Sequence, residues 1–380
     1  MMPRVSSRLA AAMVAVLPFT ALAQGTLSTQ GFGYPTGTLS TRSLGTGGAL
    51  GEIDPLSVSN PSAILNLGGT ALYFQAEPEY RKISARGQSE TSTIARYPLV
   101  LGTMRISSSV AAGLSATNLL DRSFSTTAHG TVNVGGVDIG STNTFVSDGA
   151  IADVRLALAW MPVEWLHLGL GAHAISGDNR LNSTQVFDDS TRYAKLVDTS
   201  TVSYVGNAFS GGAEVYLGRA AVIAASYRRG GTMSLKHGDS TRAQARVPDR
   251  LAFSAAYLGI RGSTLAVRTA RDTWSNMAGL GSANLTVHDG WDTSVGADVL
   301  GPRVAGRSLQ LRAGGRWRTL PFGVGTTAVR ERSLSLGLGT LIARGRAALD
   351  VAGVRSVRDA TGVDVNESAW TLSFGITVRP

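Results

Sequence analysis

The sequence predicts an all-β protein, a transmembrane antiparallel β-barrel of about 14 strands. Three observations carry that reading. In the stretch 151–176, Ala152, Val154, Leu156, Leu158 and Trp160 alternate with Asp153, Arg155, Ala157 and Ala159. After Pro162, Val163 and Glu164 the period resumes, with Leu166, Leu168, Leu170, Ala172 and Ala174 set against His167, Gly169, Gly171 and His173. This is a hairpin whose arms have roughly the ten residues a tilted strand needs to cross a bilayer, with Trp160 and Trp165 near the turn, where a membrane boundary falls. Second, the alternation returns late in the chain, where Trp370, Leu372, Phe374, Ile376 and Val378 interleave with Thr371, Ser373, Gly375 and Thr377. Third, short and long connections alternate, the arrangement of a barrel with tight turns on one side and loops on the other.

Before the first strand, Arg4 and Arg8 precede an apolar run to Ala21 and the sequence Ala21-Leu22-Ala23-Gln24. That pattern predicts a secretory signal peptide at 1–23, an N-terminal segment at 24–66 and a barrel at 67–380. No later run approaches the roughly 18 apolar residues of a membrane helix. The chain has no Cys, so disulfides do not staple it. Removing Arg4 and Arg8 takes the net charge from +9 to +7. Arginine outnumbers lysine 32 to three and is scattered through loops and polar strand faces, which argues against a nucleic-acid partner, whose charge would cluster.

Strands are expected near 69–81, 92–104, 108–124, 149–161, 165–177, 200–217, 220–234, 249–259, 263–274, 289–300, 307–319, 331–342, 345–357 and 367–379. Long polar loops are expected at 126–148, 177–199, 230–248, 274–288 and 357–367. An even count places both ends in the periplasm. A soluble sandwich shares the period of two. It would need two fused domains here, and its loops would not sort by side.

The segment 24–65 is too rich in Gly and Pro for barrel strands and too weakly periodic for an ordinary helix. Gly45, Gly47 and Gly51 miss the spacing of a dinucleotide loop. Its core runs Arg42-Ser43-Leu44-Gly45-Thr46-Gly47-Gly48-Ala49, followed by Asp54-Pro55 and Asn60-Pro61-Ser62-Ala63. In that order and spacing it resembles the signature opening the FadL-like outer-membrane transport proteins and the related PorV-like proteins, although Thr46 stands where Met is common and Ser62 where Ala is usual. Val247-Pro248-Asp249-Arg250, Trp317, Leu320-Pro321-Phe322 and Leu336-Gly337-Leu338-Gly339 extend the likeness along the chain. The chain departs from many outer-membrane barrels in ending Thr377-Val378-Arg379-Pro380 rather than in an aromatic residue, the feature read by the barrel-assembly machinery.

The resemblance implies that the segment folds back into the lumen as a hatch, where Gly and Pro alone would equally permit a flexible periplasmic tail. It implies a gate at Arg42, Gly45, Gly47, Gly48, Asn60 and Pro61. It further implies an outer-membrane channel of a Gram-negative-type bacterium for passive uptake of hydrophobic or amphipathic small molecules, without a cofactor. The related PorV-like proteins imply an alternative, a docking or shuttle subunit for secreted proteins.

Charged residues on the polar strand faces should point inward, because lipid penalises them. Asp153, Arg155, His167, His173, Asp292, Asp298, Arg312, Arg316 and Asp350 are therefore the lumen candidates, either solvating the interior or shaping a permeation path. His167 and His173 stand about 20 Å apart along a strand and cannot share a metal ion. Asp188 and Asp189 in a long loop could take up a divalent cation, and Arg180 and Arg192 could contact lipopolysaccharide, but a merely solvated loop is the first expectation. With His129, His167, His173, His237 and His288 as the five possible histidine bases, no Ser or Asp constellation selects one, and no catalysis is expected.

Overall fold

Alternation along each strand sorts the side chains into an outer apolar set and an inner polar set, and a sheet satisfies both only by closing on itself. The computed structural model describes residues 27–30, 32–85, 88–280, 286–304 and 306–379. The expected signal peptide lies outside these residues. The strands are β1 (Ala71–Ala85), β2 (Gln88–Arg105), β3 (Val110–Asp121), β4 (Phe124–Val134), β5 (Val137–Val163), β6 (Leu166–Phe187), β7 (Leu196–Leu217) and β8 (Ala221–His237). The second half adds β9 (Ser240–Arg246), β10 (Arg250–Tyr257), β11 (Ser263–Asp272), β12 (Gly290–Val304), β13 (Arg307–Thr319), β14 (Val329–Ile342), β15 (Ala347–Ala360) and β16 (Val365–Val378).

All neighbours pair antiparallel. The first and last strands meet, with Tyr73 opposite Thr377, and β8 pairs with β10 to close the ring. The closed barrel has 14 strands, as the periodicity predicts. The two others lie off the ring, β4 paired to the extended end of β5 and β9 to that of β8.

These extensions correct the expected loops at 126–148, 177–199 and 230–248, which are largely strand. Pairs such as Thr127 with Thr144 and Asn182 with Thr199 run beyond the barrel wall. Ser, Thr and Asn on both faces leave no apolar period to detect, although β-branched residues sustain the ladder. Gly135 and Gly136, both at positive φ (61° and 89°), close the β4–β5 hairpin as a two-residue turn of this kind requires. The expected loop at 357–367 shrinks to the few residues between Ala360 and Val365.

Outside, Leu170 is 72% exposed and Leu334 and Leu336 are each 71% exposed. An exposed apolar surface of this extent suits lipid rather than water. Among the described residues no helix is long and apolar enough to cross a membrane, which says nothing about the strands. Inside lie the buried charges, including Arg81, Arg268, Arg358, Glu331 and Glu367.

Candidate functional site

The N-terminal segment is folded around one acid. Asp54 accepts from Ser40 Oγ and, at 2.9 Å, from Ser57 Oγ. Ser40 Oγ in turn accepts from Ser43 N at 3.1 Å, capping the short helix α1 (Thr41–Gly45). Asn60 caps the following 3-10 turn (Pro61–Leu67), accepting from Ser62 N at 3.0 Å and donating to Glu52 O at 2.9 Å. Pro61 occupies the first position, where its missing N–H costs nothing.

The segment binds the buried faces of strands from most of the ring. Thr41 Oγ1 meets Ser373 Oγ at 2.8 Å. Arg42 pairs with Asp298 at 3.1 Å; Asp298 also holds Arg312 at 3.2 Å, and Arg312 reaches Asp350 at 2.6 Å. Gly45 sits on Gly337, and Gly47, with φ of 69°, lies so close to β13 that a Cβ there would stand 2.8 Å from the N and O of Gly315. Gly48 backs onto Leu39 and Ser294. Asn60 and Pro61 occupy the space left by Gly212 and Gly169. Arg155 donates to Val58 O at 2.7 Å. Glu52 is wholly buried between Arg268, at 3.1 Å, and Ser226 Oγ, at 2.6 Å, and Arg268 continues to Asp292 and thence to Arg316.

Nearer the long hairpins, Tyr34 is the hub. Its backbone pairs with Asp121 through Tyr34 N to Asp121 O at 2.8 Å and Asp121 N to Tyr34 O at 2.9 Å. Arg81, Arg96, Arg318 and Arg358 stand 6.0, 5.1, 5.0 and 4.7 Å from the ring centroid. Burial pushes the phenol above its ordinary range despite Arg318 and Arg358, so it stays protonated and donates to Glu331 Oε2 at 3.0 Å. Glu79, Glu331 and Glu367 pair with these arginines. Buried pairs of this kind add little net stability, because desolvation offsets most of their attraction. Around the hub, cavities of about 50 and 60 Å³ are large enough for waters only.

Above it an apolar cluster fills the mouth at the long-hairpin end. Phe32 packs against Phe322 with ring centroids 4.7 Å apart and planes tilted by 53°, and Trp274, Met277, Ile151 and Ile175 surround them. Arg122, only 6% exposed, lies 4.4 Å over the Phe32 ring and donates to Tyr204 Oη. A shallower apolar groove of about 700 Å³ runs over the wall at β10–β13, between Tyr257, Leu265, Val267 and Val295.

Of the residues singled out from sequence, Asp153, Arg155, His167, His173, Asp292, Asp298, Arg312 and Asp350 are buried on the inner face, and Arg316 is half-buried there. They fall into separate groups. His167 joins Glu214 at 3.0 Å, with Asn66 and Tyr216 behind. His173 joins Asp153 at 2.8 Å and Ser210 at 2.9 Å. Sequence reading missed Ser210, Glu52, Tyr34 and most of the arginine hub, although Arg318 and Arg358 share the inward parity of their strands. Among the described residues no group of three or more His, Asp or Glu is arranged to hold a metal ion.

No known family model matches the sequence, and no curated protein does. Solved structures do match in fold. A FadL homologue from Pseudomonas aeruginosa superposes with a TM-score of 0.63 at 12% identity, covering 91% of this chain and 99% of that one. The fold is that of the FadL-like channels. The toluene transporter TodX of Pseudomonas putida matches with a TM-score of 0.57 at 12% identity, covering 90% of this chain and 98% of its own. CymD, a monoaromatic hydrocarbon channel, matches at 0.54 and 13% identity, over 90% of this chain and 97% of its own.

Proposed function

We propose that this chain is exported after cleavage behind Ala23, inserted into the outer membrane by the barrel-assembly machinery among lipid and lipopolysaccharide, and acts there as a passive channel for small hydrophobic or amphipathic molecules. Monoaromatic compounds such as toluene are the first candidates, since similar folds carry that description. The observation that carries the reading is the apolar mouth: Phe32, Phe322 and Trp274 pack into a buried aromatic cluster at the long-hairpin end of the barrel, inside a wall whose outer face suits lipid, a surface on which a hydrophobic molecule could replace a ring. The N-terminal segment is the hatch in this reading. It joins the mouth through Phe32 and the interior through Arg42, Glu52 and Asn60. Because the two cavities around Tyr34 hold only waters, a substrate passes there when the segment shifts, hinging at Gly45 to Gly51 and at Asn60-Pro61.

The chain has no native Cys, so a tether is specific. In Thr41→Cys/Ser373→Cys the two sulfurs would replace oxygens 2.8 Å apart. Uptake of labelled toluene or a labelled fatty acid into proteoliposomes is expected to fall on oxidation and recover with reductant. Undiminished uptake by the oxidised variant would remove the hatch, and a barrel that carries no small molecule but co-purifies with stoichiometric secreted protein would favour the docking role.

A further inference from the structure

Asp153, His173 and Ser210 occupy three adjacent strands, β5, β6 and β7. The register sets Asp153 opposite Ile175, Arg155 opposite His173 and Gly171 opposite Ser210, so the three side chains are diagonal neighbours on the inner face. The diagonal brings Asp153 Oδ1 to 2.8 Å from His173 Nδ1 and Ser210 Oγ to 2.9 Å from His173 Nε2. Asp153 is further fixed by Arg228, whose Nη1 lies 3.6 Å from its second oxygen. A carboxylate on Nδ1 selects the tautomer with its proton there, leaving Nε2 to accept from the serine hydroxyl. Both ring nitrogens of a buried histidine take partners whatever its role; here the two are a carboxylate and a hydroxyl, the order a nucleophilic serine needs.

Two more features belong to the same place. A side chain at Gly171 would collide with Ser210 Oγ and stand 3.2 Å from Arg155 Cδ, so glycine keeps the flank of the hydroxyl open beside a guanidinium. Arg155 is buried, makes no ion pair within 4.0 Å among the described residues, and its Nε has no hydrogen-bond partner. A cavity of about 20 Å³ lined by Ser210, His173, Asp153, Ser59 and Val58 has room for one water.

We infer that Ser210, His173 and Asp153 form a nucleophilic hydrolase centre inside the barrel, acting on small carboxylic esters. Ser210 Oγ bonds to the carbonyl carbon while His173 Nε2 takes its proton. The oxyanion forms beside Arg155, and the carbon–oxygen bond to the alcohol breaks as Nε2 returns the proton to the leaving oxygen. A water then gives one proton to Nε2 and its oxygen to the acyl carbon, and the bond from that carbon to Ser210 Oγ breaks as Nε2 passes the proton to Oγ. The products are a carboxylic acid and an alcohol. The cavity as it stands holds no acyl group; its lining of hydroxyls and of Arg155, Arg228 and Arg250, with Val58 its one aliphatic member, suits a short, polar ester rather than a long acyl chain once the space opens. Entry needs Val58 and Ser59 to withdraw from Arg155, so access rests on the hatch reading, whereas the side-chain geometry does not.

The test is covalent labelling of the full-length folded barrel in detergent with a short-chain alkyl fluorophosphonate, read by peptide mass spectrometry, alongside hydrolysis of p-nitrophenyl acetate. Wild type and Gly47→Ala, a substitution expected to loosen the N-terminal segment, are both treated with the probe, and heat-modifiable migration on gels confirms folding. One adduct on Ser210 is expected, absent in Ser210→Ala and formed at least about 10-fold more slowly in His173→Gln, while Ser333→Ala still labels at Ser210. No adduct in either folded protein, or the same labelling and ester turnover after Ser210→Ala, overturns the proposal. Because labelling is read on purified protein, a failed uptake assay with a positive adduct sinks only the channel reading, and the reverse sinks only this one.

Discussion

Glu52 of the N-terminal segment and Arg268 of β11 face each other at 3.1 Å with both side chains wholly buried. Arg268 also holds Asp292 at 3.0 Å, so it is shared between segment and wall. Arg268→Met would leave Glu52 with Ser226 and with Arg250, 3.9 Å away, a charge without a close cation. The expected loss of unfolding free energy is about 3–5 kcal/mol, the cost of stranding one partner of a buried pair. Glu52→Gln should cost less, since Arg268 retains Asp292, and the double variant Glu52→Leu/Arg268→Met should recover part of the loss. Urea unfolding in lipid vesicles measures all three; equal midpoints would mean that water reaches the pair.

Gly47 tests how tightly the segment is seated. Alanine there meets two penalties, a left-handed backbone at φ 69° and a Cβ 2.8 Å from the Gly315 backbone, which cannot give way as a flexible side chain would. Gly218 has a similar φ of 62° with nothing within 4 Å. Gly218→Ala should therefore cost about 1 kcal/mol, the backbone term alone. Gly47→Ala should cost more and should expose the segment to protease in the otherwise folded barrel. Equal behaviour of the two variants would show that the contact with β13 yields easily.

How much of this could be read from the chain depends on whether a feature is local. Leu156, Leu158 and Trp160 alternate with Asp153 and Arg155, and all five point as their parity dictates. The outer arms escaped notice because residues such as Thr142, Thr144 and Ser147 give β-branching or hydrogen bonding without an apolar face. Asp153 and His173 were both recognised as inward, but their partner Ser210 lies 37 residues beyond His173. Only the register of three strands brings it near, and a one-residue slip would turn it to lipid. Tyr34 and Glu52 were invisible for a related reason, since an irregular segment has no parity from which to infer what it touches.

The outer face yields a depth-dependent prediction. Leu336 lies midway along β14 and is 71% exposed, whereas Val197 is 60% exposed on the extended arm of β7, beyond the wall. If the wall is in lipid and the arm in water, Leu336→Arg costs about 2–4 kcal/mol and Val197→Arg about 0–1 kcal/mol. Unfolding in vesicles separates the two. A Leu336→Arg variant as stable as wild type would place that face in water or against protein.

Phe32 joins the N-terminal segment to the apolar cluster, and on the channel proposal its truncation should move stability and transport in opposite directions. Its ring packs on Phe322 at 4.7 Å and under the Arg122 guanidinium at 4.4 Å, and it is 4% exposed. Phe32→Ala removes these contacts and opens a cavity among Trp274, Met277 and Ile151, at a cost of about 3–5 kcal/mol if the mouth does not collapse. A channel closed by that ring should then pass labelled toluene faster, because the substrate no longer competes with an internal side chain for the same surface. A mouth that only braces the fold would lose stability with no gain in flux. Phe32→Leu divides the cases further: it restores much of the apolar volume but not the ring contacts with Phe322 and Arg122, so a flux set by occupancy returns towards wild type, while one set by aromatic and cation contacts stays raised. Flux in proteoliposomes, with the unfolding midpoint of the same preparation, decides between them.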